Sequence, residues 1–216
     1  MEVELVAYSP QPDIIAASAA KLTHSKSDFD EIRKENGKKL KKILRHIIDM
    51  GHTSVVEHAY FTFAISNVSR ALTHQLVRHR IASYSQQSQR YVKQDMEYII
   101  PPSIKKKYEK EYNEMMEKIW DFYNKMKKEV PIEDARYILP NAACSKIIVS
   151  MNARSLLNFF ELRCCLHAQW EIRKLAWKML KLVKKVAPVI FEKAGPPCKT
   201  RMECPMNKKN CRWYPK

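Results

Sequence analysis

Apolar residues recur along the chain with two different periods, which predict an irregular mixture of strands and helices. Between Ala59 and Ser66 the alternate positions Phe61, Phe63 and Ile65 are apolar, which is typical of a half-buried strand. From residue 39 to 50 the apolar spacing is three to four, which predicts a helix that Gly51 ends. The same criteria predict further strands at residues 3–8, 88–93 and 146–150, and helices at residues 12–20, 70–79, 153–163 and 170–187 and from residue 103 towards Pro131.

Strands and helices alternate without the regular rhythm of a parallel α/β sheet. We therefore expect an α+β fold, in which one domain builds a mixed or antiparallel sheet flanked by long helices. The composition changes after Gly195, where two prolines follow and the helical pattern stops. The sequence thus predicts a domain over residues 1–195 and a Cys- and Pro-containing tail over residues 196–216.

Composition narrows the classes of function. Hydrophobic residues make up 45% of the 216 residues and charged residues 29%, as in soluble proteins, and the apolar runs are too short to cross a membrane. The N-terminus lacks a basic segment and a long apolar run, so we expect a cytoplasmic protein. The net charge of +16 favours anionic partners. Only three glycines occur, which excludes glycine-rich phosphate loops, so any phosphate must be bound by side chains.

One polar segment, residues 78–91, concentrates three arginines and a histidine without an acidic residue. Gln75, Arg78 and His79 have the spacing of one helical face, and Ser88 and Arg90 have the spacing of one strand face. Guanidinium groups bind phosphate through two parallel hydrogen bonds, and amides read the edges of bases. The segment therefore predicts a nucleotide site made of side chains.

The order of residues in this segment, RHRxxSxxxxSxR, resembles the signature of flavin-dependent thymidylate synthases. Further blocks of that family have similar counterparts in the same order: GHTSVVEH at 51–58, ARYILP at 135–140, and the segments 152–163 and 167–173. Together these blocks cover most of residues 1–195.

The resemblance implies a homotetramer that binds FAD in grooves between subunits and methylates dUMP to dTMP. Methylenetetrahydrofolate would donate the carbon, and NADPH would reduce the flavin. The residues that the family uses around FAD correspond here to Ser54, Arg78, His79, Arg80, Gln86, Asn152, Ala153, Arg154 and Asn158.

The resemblance also implies which residues bind dUMP. They are Gln75, Leu76, Val77, Arg78, Gln86, Gln87, Ser88, Gln89, Arg90, Arg136 and Arg163. Arg163 matches the arginine thought to polarise the uracil ring and make C5 nucleophilic, and it is the candidate catalytic residue. A guanidinium suits that task because it stays cationic and stabilises developing negative charge.

Three features near the predicted site affect which residues can take part in the chemistry. Ser85 and Gln86 stand where many members have Asn and Glu, so any role that needs a carboxylate at position 86 is in question. Cys164 and Cys165 follow Arg163, and we interpret them as small side chains at a packed helix end. No His–Asp pair is evident to activate Ser88, which we interpret as a substrate-binding hydroxyl.

The tail cysteines Cys198, Cys204 and Cys211 lie outside the resemblance. They could hold a metal ion or an iron–sulfur cluster, with a fourth ligand from Cys144, a histidine or another subunit. A disulfide and free thiols are the alternatives.

Two other functions compete with the enzyme. The basic charge would also suit a nucleic-acid-binding protein, although no nucleic-acid module is recognisable and we expect no such partner. A metal-dependent interaction module centred on the tail could coexist with the enzyme.

Overall fold

The computed structural model describes residues 1–215, and its strands and helices follow the predicted α+β mixture. The strands are β1 (Glu2–Tyr8), β2 (Tyr60–Ser69), β3 (Ser83–Gln86) and β4 (Cys144–Asn152). The helices are α1 (Pro12–Leu22), α2 (Phe29–Arg33), α3 (Gly37–Asp49), α4 (Arg70–Leu76), α5 (Pro102–Met126), α6 (Ile132–Ala135), α7 (Ala153–Arg163), α8 (Trp170–Val186) and α9 (Pro197–Thr200). Short 3-10 helices cover Thr53–His58 and Arg136–Ile138. None of these helices is both long and apolar enough to cross a membrane.

The four strands form a single sheet in the order β1-β2-β4-β3. β1 and β2 run antiparallel, because Ser9 follows the end of β1 and bonds to Tyr60 at the start of β2. β2 and β4 are also antiparallel, since the Thr62 and Ser150 hydroxyls lie 2.8 Å apart near opposite ends of the two strands. The alternation of buried and partly exposed residues along β2 agrees with the period of two in its sequence.

Two strands lead directly into helices through side-chain caps. The Ser69 hydroxyl accepts a hydrogen bond from the Leu72 amide at 3.0 Å and begins α4. The Asn152 side chain accepts one from the Ser155 amide at 2.8 Å and begins α7. Such caps satisfy amides that have no partner within the helix. Both helix starts were predicted from the sequence and are confirmed.

Other element predictions were wrong. Residues 88–93 form turns rather than a strand, so Ser88 and Arg90 do not share a strand face; the Ser88 hydroxyl instead accepts the Arg90 amide at 3.1 Å. Helix α4 ends at Leu76, which leaves Arg78 and His79 beyond it and not on a common helical face with Gln75. Beyond Leu76 the Tyr84 hydroxyl bonds to the His79 carbonyl, a contact that apolar spacing does not predict.

Two helix ends also differ from expectation. The long helix α5 begins at Pro102, one residue before the predicted start at residue 103, because proline suits the first turn of a helix. The tail contains the short helix α9, although its sequence shows no helical period. That turn is held by amides of Lys199 and Thr200 that donate to the Pro196 carbonyl.

Contacts divide the described chain into two compact units. The first comprises residues 1–2, 65–78 and 85–147. Its core contains Trp120, Met116 and Tyr123 of α5, and the Trp120 indole donates a hydrogen bond to the Asp95 carbonyl at 2.9 Å. The apolar face of α5 therefore organises this unit.

The second unit comprises residues 3–64, 79–84 and 148 to the end of the described chain. Its core includes a chain of edge-on aromatic contacts, with Phe61 to Phe191 at 5.4 Å and Phe191 to Phe160 at 5.8 Å between ring centroids. The buried Asp13 carboxylate accepts hydrogen bonds from the Val189 and Ile190 amides at 3.1 Å each. Burial raises the pKa of Asp13, because a carboxylate that is removed from water is less stable in its charged form.

We expect Asp13→Ala to lower the free energy of unfolding by about 2 kcal/mol or more, since each of the two amides that lose their acceptor costs about 1–3 kcal/mol. Chemical denaturation measures the change. Asp30→Ala is the control, because this side chain is 75% exposed and should change stability by no more than about 0.5 kcal/mol. Equal effects of both substitutions would contradict the role of Asp13.

Candidate functional site

The second unit holds most of the residues predicted around a flavin. Arg154 and Asn158 are exposed on α7, one helical turn apart, and both line a cavity of about 780 Å³. Asn152 and Ala153 are buried where β4 meets α7, and the Ala153 amide donates to the Ala59 carbonyl at 2.7 Å. These two residues position the start of the helix, whereas Arg154 and Asn158 can reach a ligand.

The cavity beside α7 is rich in charge. Arg45, Lys193 and Arg201 also line it, together with carboxylates such as Glu161 and Glu192. Its volume lies in the range of small-molecule and cofactor sites, which is about 300–1,000 Å³. A polyanionic ligand therefore has both room and cationic groups here.

Arg154 is not free in this structure. Its guanidinium donates to the Glu57 carboxylate at 2.5 Å. Glu57 belongs to the 3-10 helix Thr53–His58, which also carries the exposed Ser54. The ion pair is half-exposed on both sides, so water and a competing anion can both reach it.

A hydrogen bond between Arg163 and His79 lies at the other end of α7. The Arg163 Nε donates to His79 Nε2 at 3.0 Å. Since a guanidinium only donates, Nε2 must be the unprotonated nitrogen, and the neutral ring then carries its proton on Nδ1. Burial, which is the larger cause, and the neighbouring Arg163 charge together lower the pKa of His79 to about 4.

The position of His79 is fixed from two sides. Its ring packs edge-on against Phe159, with 4.9 Å between centroids. Its carbonyl accepts a hydrogen bond from the Tyr84 hydroxyl at 2.7 Å. Burial raises the pKa of Tyr84 to about 12, so this hydroxyl stays protonated and remains a donor. Arg80, in the loop between these two residues, is exposed.

Arg163 is a partly buried cation with a neutral partner. Of the ion pairs formed by residues 1–215, none involves Arg163. Burial lowers its pKa, because water no longer fully solvates the charge. A buried charge without a counter-ion is costly, so an anionic ligand beside Arg163 would relieve that cost.

The first unit holds most of the residues predicted around dUMP. Gln86, at the end of β3, donates from one amide nitrogen to the Thr73 hydroxyl at 3.0 Å and to the Ser145 hydroxyl at 2.9 Å. Gln86 is therefore fixed by two neutral hydroxyls. Neither hydroxyl is a positive group that would require a carboxylate at this position.

Arginines cluster in the first unit around one carboxylate. The Arg90 Nε donates to the Glu133 carboxylate at 2.8 Å, and the Arg136 Nε donates to the Glu133 carbonyl at 3.1 Å. Burial lowers the pKa of the Arg70 guanidinium, and the charge of Arg136 lowers it further. The sequence did not indicate Arg70 as a site residue, because it stands only as the first residue of a predicted helix.

The remaining predicted residues differ in accessibility. Gln75, Gln87 and Ser88 are half-buried, and Val77 and Arg78 are exposed. Leu76 is fully buried, so its side chain belongs to the core and cannot contact a ligand. Gln89 is 8% exposed, and its amide nitrogen has no hydrogen-bond partner within the described chain.

The cysteines fall into separate groups. Cys164 is fully buried and burial raises its pKa to about 12, which agrees with a packing role and not with a nucleophile. Within residues 1–215, no three His, Cys, Asp or Glu side chains are already placed to hold a metal ion, and this includes Cys198, Cys204 and Cys211.

Comparisons with known proteins give a consistent result. The sequence model of the family described as "Thymidylate synthase complementing protein" matches residues 4–189. The flavin-dependent thymidylate synthase of Clostridium tetani is 48% identical over 98% of this chain and 93% of its own length. The flavin-dependent thymidylate synthase of Pyrococcus abyssi is 44% identical over 95% of this chain and 89% of its own length.

A solved structure shares the fold. It is a UMP/dUMP methylase, PolB, from Streptomyces cacaoi bound with 5-Br dUMP, with a TM-score of 0.79 and 23% identity. The alignment covers 88% of this chain and 93% of that chain.

We expect His79 to titrate with a pKa of about 4 when followed by NMR of its imidazole. Because the folded state resists this proton, the unfolded state binds it first as the pH falls below about 6.5, and stability decreases from there to about pH 4. Arg163→Leu should raise the pKa only part of the way, since burial is the larger cause. A His79 pKa near 6.5 in the unmodified protein would contradict the neutral imidazole.

Proposed function

The chain belongs to the family of flavin-dependent thymidylate synthases, and we propose that it methylates dUMP to dTMP. In this proposal methylenetetrahydrofolate supplies the carbon. FAD, when bound, supplies the electrons that convert the transferred methylene to methyl, and NADPH replenishes them. The relatives with 44–48% identity over nearly the whole chain support this reaction.

The observation that carries the proposal is the partly buried guanidinium of Arg163, hydrogen-bonded to a neutral imidazole. A protonated His79 would repel the Arg163 guanidinium and could not accept its hydrogen bond, whereas neutral His79 orients the guanidinium and leaves its charge uncompensated. We assign Arg163 to the uracil ring, where a fixed cation stabilises negative charge as C5 becomes nucleophilic.

The second unit offers suitable groups for FAD. Arg154, Asn158 and Ser54 present donors at an accessible surface, and the cavity beside Arg154 is large enough for a cofactor. We propose that flavin phosphates or ring oxygens replace Glu57 as the partner of Arg154. Arg78, Arg80 and Gln86 complete the proposed flavin contacts, while Asn152 and Ala153 position α7.

The first unit offers suitable groups for the phosphate of dUMP. Arg70 and Arg136 are neighbouring cations, and neither takes part in an ion pair of the described chain. A phosphate dianion between two guanidinium groups removes their mutual repulsion and gains charge-assisted hydrogen bonds. Arg90 could join once it leaves Glu133, and Gln75, Gln87, Ser88 and Gln89 supply neutral donors.

We also propose that the active form is a homotetramer with its sites at subunit interfaces. The support is family membership, together with the exposure of several proposed ligand contacts: Ser54, Arg78 and Arg80. A second copy of the chain could cover such side chains and the flavin together.

The protein incubated with FAD and then desalted should retain a flavin absorbance band, which dUMP should perturb. Arg78→Ala should weaken FAD retention at least about tenfold, since one hydrogen bond to a charged group is worth about 1.5–3 kcal/mol. The side chain is exposed, so its loss should spare the fold. Arg33→Ala, another exposed arginine, should retain FAD normally. A protein that retains no flavin at saturating FAD would contradict the proposal.

Arg163→Ala should reduce tritium release from C5-labelled dUMP by at least about 100-fold, because a preorganised donor to developing charge typically contributes that much. FAD should remain bound. Arg163→Lys keeps the cation but loses the planar fork, so it should recover only part of the rate. Unchanged tritium release in Arg163→Ala would show that another group polarises the ring.

A further inference from the structure

Two contacts hold the C-terminal tail against helices α7 and α8, and a third holds the tail together. The Arg201 guanidinium donates to both carboxylate oxygens of Glu161 on α7, at 2.9 and 3.3 Å. The Trp213 ring packs edge-on against Trp177 of α8, with 6.3 Å between centroids. The Lys199 ammonium lies 4.1 Å from the centre of the Trp213 ring, so α9 and the end of the tail also meet.

These contacts bring the tail to the C-terminal end of α7. The Trp177 indole donates to the Cys164 carbonyl at 3.2 Å, directly before Cys165. A cavity of about 530 Å³ is lined on one side by Leu166 and His167 and on the other by tail residues that include Cys211. The residues that directly follow Cys165 therefore line the same cavity as Cys211, although 46 positions of the sequence separate the two cysteines.

The other two tail cysteines belong to the same neighbourhood. The Glu203 amide donates to the Pro197 carbonyl at 3.3 Å, so the next residues along the chain, Cys204 and Cys198, lie on adjacent backbone segments. The Lys199 ammonium over the Trp213 ring brings the Cys198 segment to the segment that holds Cys211. The four thiols are each half-buried, and all are free.

We propose that Cys165, Cys198, Cys204 and Cys211 form a four-thiolate site for Zn²⁺. The fourth ligand is Cys165, which follows α7 in the second unit. It takes the place that Cys144, a histidine or another subunit could have filled. Four sulfurs complete the tetrahedral shell that structural zinc prefers. The site would fasten the tail to the end of the helix that carries Arg163.

The backbone around two of the ligands is already turned as such a site requires. The Asn207 amide donates to the Cys204 carbonyl at 2.9 Å, and the Tyr214 amide donates to the Cys211 carbonyl at 2.8 Å. Each cysteine therefore begins a tight turn. The thiols do not yet converge on one point, so the ion must draw them together by side-chain rotation within these turns.

The surrounding charge suits four thiolates. Zinc with four thiolates has a net charge of −2, which needs nearby cations. Lys208, Lys209 and Arg212 line the same cavity as Cys211, and Lys199 lies over the adjacent Trp213 ring. A disulfide would give these cations no negative charge to compensate.

The test uses the full chain, purified with a thiol reductant, stripped with a chelator and titrated with Zn²⁺ or Co²⁺ alone. We expect one Zn²⁺ per chain by elemental analysis after desalting, and thiolate-to-cobalt charge-transfer bands with Co²⁺. Cys165→Ser should weaken Zn²⁺ binding at least about tenfold, since even outer-shell groups of metal sites contribute that much. Cys144→Ser, which removes a thiol of β4, should bind normally.

Three results would overturn the proposal: a full-length protein that retains no Zn²⁺, unchanged affinity and cobalt bands in Cys165→Ser, or tail cysteines paired as disulfides under the same reducing conditions. If Cys165→Ser fails to fold, the number of Zn²⁺ ions per chain and the cobalt bands of the unmodified protein still test whether the site exists. The proposal does not depend on flavin binding, so loss of either property leaves the other measurable.

Discussion

The candidate site depends on one interaction, the hydrogen bond by which an uncharged imidazole orients a guanidinium. The Arg163–His79 hydrogen bond fixes the cation without neutralising it. A carboxylate in the place of His79 would hold Arg163 more firmly but would cancel the charge that a ligand needs. Burial keeps the imidazole neutral, and Phe159 and Tyr84 keep it in place. The apolar packing of this part of the molecule thus determines the electrostatics of the site.

The junction between β4 and α7 fixes the position of the helix that carries Arg163. Asn152 caps α7, and Ala153 bonds back to Ala59, so the first turn of the helix is anchored to the sheet that precedes it. Arg154 follows at once, and Arg163 closes the same helix. A helix of 11 residues therefore carries groups proposed for both the cofactor and the substrate, with little freedom to change their spacing.

The sequence predicted those features that depend on neighbouring residues. Alternation in β2, the starts of α4 and α7 and the helix stop at Gly51, which is left-handed at φ 84°, are local, and each appears where expected. The family motifs predict roles for Arg163 and Arg154 in the same way, and these roles stay predictions. The wrong prediction at residues 88–93 has a local cause, because the Ser88 hydroxyl and carbonyl accept the Arg90 and Val92 amides and form turns where alternation predicted a strand. Proximity across the chain, such as that of Arg70 to Arg136 or Cys165 to the tail, leaves no signal in a single sequence.

The carboxylates paired with two of the proposed ligand-binding arginines have a further consequence. Arg154 is held by Glu57, and Arg90 by Glu133, so an incoming anion competes with a resident carboxylate for each guanidinium. A phosphate dianion brings more charge and more acceptor oxygens to that competition than chloride or acetate does. At these positions the two carboxylates would therefore favour multiply charged ligands over small monovalent anions.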